Sequence, residues 1–288
     1  MDKLEEVSVL QEYRKKPVNQ RRQALIYLTM AITFLVIITV AGTLSGELAT
    51  TTNFTQKNLL PSLEHPFGTD WLGRDMFFRT LKGMSISIYI GLFASVISAV
   101  IATVLGAAAA TLGKKVDRVI TWLVDLVMGI PHLLLLILIS YALGRGTVGV
   151  VIAVAVSHWP LLTRVIRAEI LQLKEANYVK IAAKLGQSNC RIVVRHMLPH
   201  VFPQFLVGLV LLFPHAILHE AALTFLGFGL PPEQPGIGMI LSESMRYLAL
   251  GMWWLALFPG VVLLAAVMLF DTVGTNIRKM IDPQSAQE

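Results

Sequence analysis

What most constrains this chain is a set of long apolar runs. Residues 24–44, 85–112 and 251–272 are each long enough for the roughly 20 residues an α-helix needs to cross a hydrocarbon core. Inside a bilayer the backbone finds no water to bond. Such a run must satisfy its N–H and C=O groups internally, and within one segment only a helix does so. Further stretches at 119–143, 148–163 and 200–223 bring the expected number of spans to six. The fourth is the shortest and ends at Trp159-Pro160. The expected fold is all-α and polytopic, embedded in a lipid bilayer. With 55% apolar and 15% charged residues, the composition argues against a soluble protein.

The basic residues orient the spans. With the N-terminus inside, the inner segments are 1–23, 113–118, 164–199 and 273–288, and they hold 18 of the 24 Lys and Arg. The outer segments and their flanks hold Lys57, Arg74, Arg79, Lys82, Arg145 and Arg246. Loops rich in Lys and Arg stay on the cytoplasmic side, so both termini are expected there. The net charge of +6 then belongs to inner loops and implies no nucleic-acid partner. The chain divides into a cytoplasmic N-terminal segment 1–23, a first helix and outer loop 24–84, a five-helix core 85–272, and a cytoplasmic tail 273–288. Asp2, Glu5, Glu6 and Glu12 do not suit a cleavable signal peptide. The single cysteine, Cys190, excludes an internal disulfide framework.

Two outer segments are long. Residues 45–84 are polar and then basic. Residues 224–250 carry Gly227, Gly229, Pro231, Pro232, Pro235, Gly236 and Gly238, so they cannot form one regular helix. Phe225, Leu226, Phe228 and Leu230 suggest that this stretch returns to the membrane surface or lines a vestibule, as a lip over a pore or as a plain connecting loop.

The inner segment 174–199 reads as two short helices at a bend. Residues 175–185 are good helix formers, and Gly186 suits the left-handed residue that ends a helix. Ala176, Ala182 and Ala183 are small and allow another surface to approach closely. A second helix is expected from Ser188 to Met197, with Pro199 ending it before the fifth span.

This spacing resembles the coupling loop of ABC importer permeases, whose consensus is Glu-Ala-Ala, three residues, Gly, nine residues, Ile-x-Leu-Pro. The matching positions are Lys180, Ile181, Ala182, Gly186, His196, Leu198 and Pro199. Lys180 and Ile181 depart from the general pattern, whereas Tyr178, Val179, Ala182, Ala183, His196, Leu198 and Pro199 match its peptide and nickel branch. Two more stretches resemble that branch: Gly68-Thr69-Asp70 with Gly73-Arg74-Asp75, and Leu223 to Gly229 followed by Pro231-Pro232. Ile237-Gly238 stands where Trp-Gly is usual.

The resemblance covers about residues 65–285 and implies the C-type permease subunit of a dipeptide, oligopeptide or nickel importer in the cell inner membrane. Such a subunit forms a heterodimer with a homologous permease and works with two ATP-binding subunits and an extracytoplasmic substrate-binding protein. The docking loop for the ATPase would comprise Glu175, Ala176, Tyr178, Val179, Ala182, Ala183, Gly186, His196, Leu198 and Pro199. The chain contains no Gly-x4-Gly-Lys-Ser/Thr sequence to cradle phosphate and Mg²⁺. ATP and Mg²⁺ are therefore expected on partner subunits, with no cofactor and no catalysis on this chain.

Ionisable residues within spans are costly and point to function. His215 and His219 lie four apart on one helical face, and imidazole suits Ni²⁺. Transient metal contact and neutral helix-interface packing both fit them. Glu220 lies about a hundred degrees round the helix, from the helical repeat, and Pro214 is expected to kink it. Asp125 fits pairing with a basic group near the inner face, a part in gating, or a structural hydrogen bond near a span end. His132 after Pro131 resembles it in position, and His158 beside Trp159 suits interfacial anchoring. His215, His219, Glu220 and Asp125 form the candidate translocation path. Outside, Asp70, Arg74 and Asp75 either dock a binding protein by charge or form a network that shapes their loop.

The histidine pair favours nickel, free or chelated, as cargo, with dipeptides or oligopeptides as the alternative. An ion-gradient-driven transporter would be expected to show internal repeats and broken midplane helices. A zinc-dependent membrane enzyme would carry His-Glu-x-x-His, and His215-Ala-Ile-Leu-His219 lacks the Glu.

Overall fold

The computed structural model describes residues 20–281. The expectations for 1–19 and 282–288 lie outside the described residues. In chain order the elements are α1 (Gln20–Leu44), a short turn of helix at Phe54–Gln56, α2 (Met76–Thr111), α3 (Lys114–Gly129), α4 (His132–Ala142) and α5 (Gly146–Lys174). There follow α6 (Asn177–Lys184), α7 (Asn189–Ile192), a π turn at Val193–Met197, α8 (Leu198–Phe225), α9 (Ile237–Leu248) and α10 (Trp254–Ile281). Among the described residues the only β pairing is an isolated bridge between Thr69 and Asp75. Among the described residues five helices are long and apolar enough to cross a membrane, and six if α3 and α4 together count as one broken span.

That break corrects the continuous third span expected over 119–143. The axes of α3 and α4 meet at 98°. Pro131 supplies no N–H and forces the preceding residue out of the helical region, and Ile130 accordingly sits at φ −88°, ψ 133°. Gly129 before it is a weak helix former.

Two other prolines do less than expected. The fourth span does not stop at Trp159-Pro160. Helix α5 runs through Pro160 to Lys174, because Ile166 and Ile170 beyond it are fully buried and repay continuation. Pro199 does not end the segment either. It lies in the first turn of α8, where a missing N–H costs nothing, and the π turn before it carries the chain into the fifth span.

Helix α2 lies at the centre. Ala99 and Ala102 pack against Trp159, Leu162, Ile166 and Ile170 of α5, and Met84 and Ile88 pack with α1, α8 and α10 around Leu35, Phe213 and Ala266. A third cluster joins Ile90 and Ala94 to Leu136, Val150, Val154 and Leu223. Lipid offers no hydrophobic drive between helices, so close approach through small residues carries the packing. A Cβ on Gly106 would lie 2.9 Å from the Ile166 side chain and 3.0 Å from the Thr163 carbonyl. Asp117 of α3 adds a two-pronged ion pair to Arg167 of α5 at 2.5 and 2.7 Å.

Candidate functional site

Three features answer the sequence expectations: a loop at one end of the bundle, a polar knot at the other, and a cavity between.

The loop is α6 and its surroundings. Gly186, at φ +80°, closes α6 with both bonds of a Schellman ending: Gly186 N–H donates to Ala183 at 3.0 Å, and Gln187 N–H to Ala182 at 3.2 Å. Val179 and Ala182 face inward onto Ile170, Ile192 and Met197. They hold the helix to the bundle and are unavailable to a partner. Tyr178, Ile181 and Leu185 face outward, at 40%, 56% and 76% exposure, with the spacing that makes one helical stripe. Ile181 and Leu185 were not among the expected docking residues, because the family pattern ranks identity, whereas presentation depends on which face is buried. Ala183 and Glu175 are exposed and Ala176 is partly buried. The Lys180 ammonium, 2.8 Å away, holds the Glu175 carboxyl below the usual carboxylate range. His196 is half-buried with Nε2 3.2 Å from Gln187 Oε1. Leu198 and Pro199 begin α8.

The knot is built on Asp70, whose carboxylate is fully buried. Oδ1 accepts the Leu72 and Arg74 amides at 2.9 and 3.0 Å, and Oδ2 accepts Arg74 Nε at 2.6 Å and the Arg79 guanidinium at 3.0 Å. Arg79 also donates to Glu243 of α9 at 2.5 Å. Asp75 caps α2 through the Phe77 and Phe78 amides and approaches His65 Nδ1 at 2.7 Å. Thr69 Oγ1 accepts from the Leu59 amide at 2.8 Å. Gly68 and Gly73 take positive φ, and a Cβ on Gly73 would fall 1.7 Å from the Asn53 carbonyl oxygen. Of the two expectations for Asp70, Arg74 and Asp75, this geometry is that of a network shaping the loop.

The cavity, of about 540 Å³, opens where the third span breaks. Met128 to His132, Ser157, His158, Pro160, Leu161, Leu212, His215 and His219 are in its wall. Irregular backbone at membrane depth is tolerated against protein or a water-filled cavity, and here it borders a cavity. The rings of His132, His158 and His219 converge, with centroids 4.4–5.1 Å apart. His215 is exposed on the same wall. His132 and His158 were each weighed singly in the sequence, since their meeting depends on the bend at Pro131.

Two path candidates lie elsewhere. Glu220 is fully buried outside the cavity wall: Oε1 accepts from Thr224 Oγ1 at 2.9 Å, and Oε2 has no hydrogen-bond partner among the described residues. Asp125 pairs with Arg164 of α5 at 2.5 Å, with both side chains exposed. The Gly-Pro segment is pinned near Glu220 and the α4–α5 turn: Leu230 N–H donates to Thr224 Oγ1 at 3.2 Å, and Ser140 Oγ to the Phe228 carbonyl at 2.7 Å.

Comparison with known proteins agrees with this architecture. Residues 102–286 match the family described as binding-protein-dependent transport system inner membrane component. A protein of Brucella abortus named as a peptide transport system permease is 39% identical over 228 residues, covering 79% of this chain and 76% of its own. The dipeptide transport system permease protein DppC of Bacillus subtilis is 31% identical, covering 87% and 79%. The oligopeptide permease protein OppC of the same organism is 34% identical, covering 81% and 76%. Among solved structures, the MetNI methionine ABC transporter in an inward-facing form superposes with a TM-score of 0.59 at 17% identity, over 72% of this chain and 98% of that one, a likeness of fold. The chain belongs to the binding-protein-dependent transport system inner membrane component family, as the non-catalytic, multi-pass membrane permease subunit of an ABC importer.

Proposed function

We propose that this subunit imports dipeptides or oligopeptides. It would form the path with a homologous permease, take cargo from an extracytoplasmic binding protein, and draw on two ATP-binding subunits that dock at α6 on the cytoplasmic side. What carries the cargo assignment is the set of peptide-transport names on relatives 31–39% identical over more than three quarters of this chain. The nickel cargo favoured by the histidine pair finds no support among those relatives, and the peptide alternative takes its place. The exposed stripe of Tyr178, Ile181 and Leu185, on a helix anchored from behind by Val179 and Ala182, supports α6 as the docking element. The cavity lies within the range of pockets that hold small molecules, about 300–1,000 Å³.

The test is growth of an amino-acid auxotroph supplied with that amino acid as a dipeptide. Deleting the gene should abolish growth on the dipeptide and spare growth on the free amino acid. Unchanged dipeptide growth with lost Ni²⁺ uptake would overturn the cargo assignment.

A further inference from the structure

We propose that His132, His158 and His219 form a binding site for a divalent first-row transition-metal ion in the wall of the cavity. The inference goes beyond the cargo assignment and does not rest on it.

Three observations carry it. The first is convergence. The three side chains come from α4, α5 and α8, and one ring nitrogen of each lies within 4.8 Å of the other two. A metal bound at about 2.0–2.1 Å would draw them to roughly 3.3 Å apart in tetrahedral geometry, an inward closure by side-chain rotation. The second is orphaned nitrogens: His132 Nδ1 and His158 Nε2 are both buried with no hydrogen-bond partner among the described residues. A buried polar atom left unpaired is costly unless something occupies it. The third is tautomer control. His158 Nδ1 lies 2.8 Å from the Val154 carbonyl, which can only accept, and 3.0 Å from Ser157 Oγ, so Nδ1 carries the proton and the buried Nε2 keeps its lone pair. Metal-binding histidines are oriented in this way, through the nitrogen opposite the metal.

The donor set selects the ligand. Three neutral imidazoles with no carboxylate in the wall suit Zn²⁺, Ni²⁺, Co²⁺ or Cu²⁺ over Mg²⁺ or Ca²⁺. The open side toward the cavity leaves coordination positions for water or for a small chelator carrying the ion.

The whole transporter, purified in detergent and stripped of metal, would be titrated with Co²⁺ alone and with Co²⁺ bound by two free histidines. The two arms separate the aquated ion from a chelate, and binding is read by calorimetry and visible absorption. His132→Gln, His158→Ala and His219→Ala should each weaken binding at least ~10-fold in one arm or both, and His200→Ala, away from the cavity, should not. Should a variant fail to assemble, diethyl pyrocarbonate labelling of the wild type replaces it, with Co²⁺ expected to shield His132, His158 and His219 more than His200. Titrations that the three substitutions leave unchanged in both arms, or labelling that Co²⁺ does not alter, would overturn the site.

Discussion

Replacing Ile181 and Leu185 together by serine should detach the ATPase and leave the permease folded. Burying a Leu or Ile side chain fully is worth about 1.5–3 kcal/mol. Scaled by their free exposures of 56% and 76%, covering the two by a partner contributes about 2–4 kcal/mol. At 1.4 kcal/mol per decade, the double variant should bind its ATPase subunits roughly 30–700-fold more weakly. The chain's own stability should change little, since exposed positions away from caps and cores move it by about 0.5 kcal/mol or less. The contrasting variant is Val179→Ser. Val179 is buried against Ile170, Ile192 and Met197, so this change should loosen α6 from the bundle and lower the melting temperature of the permease itself. The assay titrates ATPase onto the detergent-purified permease pair and measures thermal unfolding in parallel. Wild-type ATPase affinity in the Ile181→Ser, Leu185→Ser variant would refute the assignment of this face.

Two predictions concern the opposite end. Arg79→Met strips a partner from fully buried Asp70 and from Glu243, and removing one member of a buried ion pair costs about 3–5 kcal/mol; thermal unfolding should fall sharply and the segment 45–75 should become protease-sensitive. Gly73→Ala must leave φ +72° and move its Cβ off the Asn53 carbonyl, a loss on the order of 1–3 kcal/mol read in the same two assays, with ATPase affinity unaltered.

The spans were legible because bilayer thickness and backbone satisfaction leave so few choices, and the end of α6 because it depends on one residue, Gly186. The errors in placing the spans fell on proline. Pro131 breaks a span read as continuous, Pro160 fails to end one, and Pro199 is absorbed by a π turn. A proline's local effect is fixed, but whether the chain turns or continues is decided by burial beyond it, as Ile166 and Ile170 decide it for α5. That same dependence hid the histidine cluster. His132 reaches the cavity through the bend at Pro131, whereas His158 and His219 were visible on their own helices. The role of Asp70 was undecided in the sequence because Glu243, which completes its network through Arg79, lies far along the chain.

The central claim is ATP-driven peptide import through this subunit. Its most direct test is the accumulation of a radiolabelled dipeptide in proteoliposomes holding the complete transporter with its binding protein. The account predicts uptake that requires ATP on the ATPase side, requires the binding protein, and is lost in the Ile181→Ser, Leu185→Ser variant. Uptake driven by a proton or sodium gradient in the absence of ATP, or retained in that variant, would contradict it.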